Sequence, residues 1–98
     1  MKEIIKQFLR VFGYQINRIK KNQYPIDISD EMQDIYREIE PYTATSIERV
    51  YALVNSVKYI LDNNLNGDFV ECGVWKGGSC MVMAKELMKR GDISRKIW

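Results

Sequence analysis

The residues of this 98-residue chain that are best suited to binding a ligand lie in one glycine-rich stretch, residues 67–79. A short apolar segment, residues 68–72, leads into a loop with glycines at Gly73, Gly77 and Gly78. Glycine permits the backbone angles of a sharp strand-to-helix turn and lets a ligand approach the main chain. The helix predicted after the loop offers unpaired N–H groups to an anion, and Ser79 adds a hydroxyl at the same place.

An acid at the end of the same apolar segment supplies the opposite kind of partner. Glu71 precedes the loop and could face an ammonium group, whereas the helix start suits a carboxylate. A ligand with both groups, such as S-adenosylmethionine, fits this pairing. The glycine spacing is GxxxGG, which departs from the GxGxxG of dinucleotide-binding proteins and lacks the GK[ST] of phosphate-binding loops. A nucleotide-dependent oxidoreductase is therefore disfavoured, and a tight turn without a ligand is the structural alternative.

Two amphipathic segments precede the glycine-rich stretch in the sequence. Residues 1–21 are predicted to be helical, with Gly13 as a weak point, and residues 22–28 read as a connector. The apolar stripe of this first helix consists of Ile5, Phe8, Leu9, Phe12, Ile16 and Ile19. A second, short helix is expected to begin with Asp30 as its cap and Gln33 completing a capping box, and to stop at Pro41.

The elements around the glycine loop follow in the order of a parallel α/β sheet. Thr45, with Glu48 three residues on, is expected to cap a helix that runs down at residues 63–64. A buried strand over 68–72, a helix over 80–90 and the start of a second strand at 96–98 follow. Gly91 is the expected C-terminal cap of the helix over 80–90, and its core side is expected to carry Met81, Ala84, Leu87 and Met88. The predicted fold is α/β, with N-terminal helices leading into the first strand, loop and helix of a doubly wound sheet that is cut short.

Composition narrows the class of function. The net charge is only +2, there is no histidine, and the spacing of Cys72 and Cys80 fits neither a zinc ribbon nor a redox pair. We expect a cytoplasmic protein without a transmembrane segment and without nucleic acid as a partner.

Positive charge is concentrated in residues 1–21, where there are six basic residues and one acid, Glu3. The first helix has three readings: packing on the domain or on a second copy in a homo-oligomer, binding to a membrane surface, and nucleic-acid binding, in decreasing order of preference.

The sequence from Val70 to Ser79, VECGVWKGGS, resembles motif I of class I methyltransferases and is similar to the pattern of catechol O-methyltransferase. It is most similar to the macrocin O-methyltransferase family, which methylates sugar hydroxyls on macrolides and related glycans. The similarity extends to YTATS at 42–46, Glu48-Arg49 and YAL at 51–53. The resemblance implies an S-adenosylmethionine-dependent O-methyltransferase with a Rossmann-like sheet and a small-molecule or glycan acceptor.

The resemblance also implies roles for single residues. Glu71 and Gly73 would line the methionine and ribose side of the cofactor, Trp75 would lie beside it, and Gly77 and Gly78 would allow close approach. Ser79 would bind the cofactor carboxylate. The preceding segment would close over the methionine end through Thr43, Thr45 and Ser46.

Other parts of the family pattern have no counterpart in these residues. The family places its ribose-binding acid, its metal-binding aspartates and its general base after the second strand, so magnesium is possible in the full-length family but no catalytic or metal-binding residue is assigned. We expect residues 1–41 to form a helical lid or oligomer contact and residues 42–98 to begin the cofactor-binding domain, with no turnover from this chain alone. The alternative is a non-catalytic interaction module with a vestigial cofactor loop.

Overall fold

The computed structural model describes residues 1–14 and 24–98, which contain four α-helices and one short 3₁₀ helix. The α-helices are α1 (Lys2–Val11), α2 (Asp30–Ile39), α3 (Ile47–Asp62) and α4 (Gly78–Arg90). The 3₁₀ helix, Glu40–Tyr42, joins α2 to the loop before α3 and carries Pro41 in its first turn. The prediction that Pro41 ends the second helix is therefore confirmed, although the chain continues for one tighter turn.

The first helix is shorter than its apolar pattern predicted. α1 ends at Val11, and Gly13 follows in the left-handed region with a φ of 78°. The predicted continuation through Ile16 and Ile19 lies outside the described residues. No residue of α1 is buried, and within residues 1–14 and 24–98 α1 packs against none of the other helices.

Three helices have a different N-cap residue or first residue from the one predicted. Ser29, not Asp30, caps α2, because its hydroxyl accepts the Met32 N–H at 3.3 Å while Asp30 is already helical. Ser46, not Thr45, is the N-cap residue of α3. α4 begins at Gly78 rather than at Cys80, because the left-handed Gly77 turns the chain directly into the helix. Its predicted end is confirmed, with Gly91 at a φ of 69°.

The core lies between α2, α3 and α4. α3 packs along α4, and α2 covers both. The principal buried side chains are Met32, Ile39, Val50, Val54, Val82 and Leu87. Met88, predicted to face the core, is exposed instead, and Met83 is buried. Glu86 is the buried polar exception: its side chain is 1% exposed, and its Oε2 has no hydrogen-bond partner among the described residues.

The predicted strand over 68–72 is reduced to a single parallel bridge between Phe69 and Ile97. Phe69 donates its N–H to the Lys96 carbonyl and accepts the N–H of Trp98, both at 2.9 Å, and the Glu71 N–H donates to the Trp98 carbonyl. The parallel direction agrees with the prediction. Because the partner segment contributes only residues 96–98, the pairing is too short to form a ladder.

The register of this pairing is fixed by side chains at its ends. The carboxylate of Asp68 accepts the backbone N–H of Lys96 at 3.0 Å and the indole N–H of Trp98 at 3.1 Å. Arg95 donates to the carbonyls of Leu65 and Gly67, which ties the turn before the bridge to the segment after α4. These bonds tie the chain that enters the bridge to the segment that follows α4.

Candidate functional site

An open cleft of about 220 Å³ lies between the loop before α3 and the loop before α4. It gathers most of the residues predicted to bind a cofactor, from two segments about 30 positions apart in the sequence. The predicted residues that line it are Thr43, Thr45, Glu71, Gly73, Trp75, Gly78 and Ser79. Tyr42, Ala44, Arg49 and Val74 complete the lining.

Two of the predicted residues do not line the cleft. Ser46 turns to its own helix, where its hydroxyl bonds the carboxylate of Glu48. The pKa of Glu48 is lowered, first by the backbone N–H of Glu48 itself and then by this Ser46 hydroxyl. Gly77 lies behind the lining, as the residue at the start of α4.

The loop over 73–77 reverses the chain through three residues with positive φ. Gly73 and Gly77 have φ values of 85° and 86°, and Trp75 between them has a φ of 49°. The two glycines adopt this conformation without strain, whereas a bulky residue with positive φ costs about 1–2 kcal/mol. Such strain persists only where the surroundings hold the residue in place. The result is that the exposed Trp75 ring stands at the edge of the cleft, with the Lys76 ammonium 4.8 Å from its centroid.

Gly78 is required by the chain itself. A Cβ at this position would lie 2.6 Å from the Thr43 Cβ and 2.7 Å from the Tyr42 carbonyl oxygen. Among the described residues, Gly78 therefore permits the close approach of the segment 42–43. This segment lies directly against the start of α4. Without a glycine here, the two walls of the cleft could not meet.

The side of the cleft formed by residues 42–45 is held by a hydrogen bond within this segment and by another from α2. The Thr43 hydroxyl accepts the N–H of Thr45 at 3.2 Å, and the hydroxyl of Tyr36 on α2 donates to the Thr45 carbonyl at 3.0 Å. Burial is the main cause that raises the pKa of Tyr36, so its hydroxyl keeps its proton for this bond. Thr43 and Thr45 thus have structural roles that do not depend on any ligand.

The start of α4 is positively polarised and open. No side chain of the described residues caps this helix, so the first N–H groups retain their capacity to bind an anion. Gly78 and Ser79 are the helical residues at this end, and both line the cleft. A carboxylate or another small anion is the group that fits this end of the cleft.

Glu71 supplies a negative charge beside the start of α4 and is oriented by a cysteine in the first turn of that helix. The Cys80 thiol donates to Glu71 Oε2 at 2.9 Å. This hydrogen bond, followed by burial and the charge of Glu71, raises the pKa of Cys80 to about 11. Cys80 is therefore protonated at neutral pH, and a protonated thiol is a poor nucleophile.

Sequence reasoning missed two residues of the site. Cys80 was not among the predicted site residues, although its position in the first turn of α4 places its thiol against Glu71. Arg49 was noted only as part of the family pattern, yet it lines both this cleft and an adjoining cavity of about 390 Å³. A cation in the first turn of a helix opposes the helix dipole, and that signal could have drawn attention to Arg49.

The arrangement fits a zwitterionic amino-acid group. Glu71 can accept from an ammonium, and the start of α4 with the Ser79 hydroxyl can donate to a carboxylate. The described residues contain no cluster of three or more metal-ligating side chains. Within the same residues, no helix has the length and apolar character needed to cross a bilayer.

Comparison with known proteins gives the class of protein. The sequence model of the macrocin-O-methyltransferase (TylF) family matches residues 3–98. Since the match covers nearly the whole chain, the chain belongs to this family of methyltransferases.

Three curated relatives are similar over part of the chain. A tetracenomycin enzyme of Streptomyces olivaceus, 8-demethyl-8-(2,3-dimethoxy-alpha-L-rhamnosyl)-tetracenomycin-C 4'-O-methyltransferase, is 37% identical over 57 residues. Demethyldecarbamoylnovobiocin O-methyltransferase of Streptomyces niveus is 35% identical over 57 residues. Mycinamicin III 3''-O-methyltransferase of Micromonospora griseorubida is 33% identical over 58 residues. Each match covers 58% of this chain and 22% of the relative, so the compared region is about a fifth of each relative.

Proposed function

We propose that this chain forms the part of an S-adenosylmethionine-dependent O-methyltransferase that holds the amino-acid end of the cofactor, and that the acceptor is a sugar hydroxyl of a glycosylated natural product. One observation carries the cofactor assignment: the cleft sets the carboxylate of Glu71 against the uncapped start of α4. These two features match the ammonium and the carboxylate of a methionine moiety. The acceptor class rests on the names of the three relatives.

Each residue of the cleft has a defined task in this proposal. Ser79 and the N–H groups at the start of α4 bind the carboxylate, and the guanidinium of Arg49 adds positive potential to the same cleft. Glu71, held by the Cys80 thiol, accepts from the ammonium group. The ring of Trp75 shields one side of the ligand, and Thr43 and Thr45 form the opposite wall.

The cofactor, when bound, supplies an electrophilic methyl group on a sulfonium. The residues of this chain contribute binding and orientation, which is how an enzyme turns a bimolecular transfer into an effectively unimolecular one. No residue of the chain is assigned to deprotonate the acceptor. The Rossmann-like sheet that such a domain requires belongs to the same proposal, and the parallel direction of the Phe69–Ile97 bridge supports it.

Isothermal titration of the chain with S-adenosylhomocysteine tests the proposal. We expect binding that is lost or weakened at least tenfold in Glu71→Ala, since a charge-assisted hydrogen bond contributes about 1.5–3 kcal/mol. Ser79→Ala is expected to weaken binding by a smaller factor, because a neutral hydroxyl contributes about 0.5–1.5 kcal/mol. Ser94→Ala is the matched control, because Ser94 is an exposed serine outside the cleft whose hydroxyl bonds Asp92. Binding that is equal in all four proteins would contradict the assigned roles.

A helical interaction module is the second candidate function. The observation that favours it is α1, an amphipathic helix of which no residue is buried. The titration separates the two candidates, since a folded chain that does not bind S-adenosylhomocysteine would favour the module.

A further inference from the structure

The most unusual surface outside the cleft is the apolar face of α1. Six apolar side chains recur at steps of three and four residues, which places them along one side of the helix. All are roughly half exposed or more, and Phe8 and Phe12 are each 63% exposed with ring centroids 5.1 Å apart. The six residues are Met1, Ile4, Ile5, Phe8, Val11 and Phe12.

The opposite side of α1 is cationic. Lys2, Lys6 and Arg10 follow one another at steps of four residues and form a positive stripe. Glu3 is the single acid of the helix, and it pairs with Lys6 at 3.3 Å. The helix therefore joins an aromatic and aliphatic face to a net positive face, which is typical of helices that lie on membrane surfaces.

We propose that α1 is a membrane-surface helix that binds bilayers containing anionic lipid. Its apolar face enters the boundary between headgroups and acyl chains, and its cationic stripe contacts the negatively charged headgroups. A ten-residue helix is about 15 Å long, too short to cross a bilayer and suited to lying in its plane. This inference goes beyond cofactor binding and does not depend on it.

Two other occupants of the face fit the observations less well. α1 packs against none of α2, α3 and α4, and no residue of it is buried in the part of the chain that the structure describes. A second copy packed through the same face would cover the apolar side chains but leave the cationic stripe, which lies on the opposite side of α1, without a partner. An anionic lipid surface complements both sides of α1 at once.

Vesicle co-sedimentation with the 98-residue chain tests the proposal. We expect binding to vesicles of phosphatidylcholine with about 30% phosphatidylglycerol and little binding to phosphatidylcholine alone. Each cation near an anionic surface strengthens binding about fivefold, so Lys2→Gln with Arg10→Gln should weaken it about 25-fold. Raising the salt concentration should weaken binding of the unmodified chain in the same direction.

The apolar face is tested with a second pair of variants. Phe8→Ser with Phe12→Ser should weaken binding at least tenfold. The matched control is Ile26→Ser with Ile93→Ser, which removes two apolar side chains outside α1 that are even more exposed than Phe8 and Phe12 and should leave binding unchanged. Because α1 contributes nothing to the core, all variants should keep the circular dichroism of the folded chain.

Three outcomes would overturn the proposal. They are absence of binding to anionic vesicles, binding that the Phe8 and Phe12 changes do not affect, and binding that the control pair weakens as much as the α1 pair. A dimer in sedimentation equilibrium that dissociates when Phe8 and Phe12 are replaced, in a chain that does not bind vesicles, would assign the face to a second copy instead.

Discussion

The hydrogen bond between Cys80 and Glu71 predicts how fast Cys80 reacts when Glu71 is removed. The pKa of Cys80 is about 11 because Glu71 accepts its proton, because the thiol is partly buried and because Glu71 is negatively charged. Glu71→Ala removes the acceptor and the charge and opens the site to water, so the pKa should return toward the ordinary cysteine value of about 8.5. The experiment uses a Cys72→Ala background, since Cys72 is the exposed thiol.

The size of the effect follows from the two pKa values. At pH 8 the thiolate fraction is about 0.1% for a pKa of about 11 and roughly 24% for a pKa of about 8.5, a ratio of about 240. A thiolate of lower pKa is intrinsically less nucleophilic, with a Brønsted coefficient of about 0.4–0.5, which reduces the gain roughly 13-fold. Reaction with an aromatic disulfide should therefore be about 20-fold faster in Glu71→Ala.

A neighbouring substitution serves as the control for this rate. Ser79→Ala enlarges the same cleft without touching Glu71, so Cys80 should stay slow in that variant. The measurement is the pseudo-first-order rate against pH, monitored by absorbance of the released thiolate. A change of less than twofold in Glu71→Ala, with the fold retained, would refute the view that Glu71 sets the state of Cys80.

Further substitutions test the packing and the pairing of the bridge. Gly78→Ala should lower the free energy of unfolding by about 1–3 kcal/mol in urea denaturation, because the added Cβ meets the backbone of Tyr42; an unchanged midpoint would contradict the contact. Ile39→Ala should lower the free energy of unfolding by about 2–5 kcal/mol, since Ile39 is fully buried. A decrease of less than about 1 kcal/mol would argue against that burial. Glu86→Met should leave the stability unchanged or raise it by up to about 4 kcal/mol, because the buried carboxylate oxygen has no partner among the described residues, and a clear loss would point to a partner. The backbone N–H of Lys96, followed by the Trp98 indole, lowers the pKa of Asp68 on folding. The bridge should therefore be fully stabilised above about pH 5 and lose this contribution as the pH falls below about 4, seen as a shift of the Trp98 indole resonance that Asp68→Asn abolishes.

Local sequence patterns predicted which residues line the cleft more accurately than they predicted which side chains are buried. Glu71, Gly73 and Trp75 belong to one short loop, where residue spacing alone sets the geometry. Arg49 reaches the cleft because α3 packs along α4, a tertiary contact that local spacing does not encode. Cys80 meets Glu71 because the loop over 73–77 reverses the chain.

The N-cap residue of a helix is equally hard to predict from local sequence. Ser29 and Asp30 are adjacent capping residues, and so are Thr45 and Ser46, so composition leaves the choice within each pair open. In α4 the apolar residues surround much of the helix, from Met81 to Met83 and again at Leu87 and Met88. Periodicity therefore could not decide that Met83 is buried and Met88 exposed.

An ¹H–¹⁵N NMR titration of the chain with S-adenosylhomocysteine would show which residues the cofactor contacts. If the cleft holds the amino-acid end of the cofactor, the largest shifts should fall on the amides of Gly78 and Ser79, with smaller shifts at Glu71 and Thr45. The Trp75 indole resonance should move with them, and resonances of α1 should stay in place. A folded chain whose amides do not respond, or respond only away from the cleft, would contradict the account.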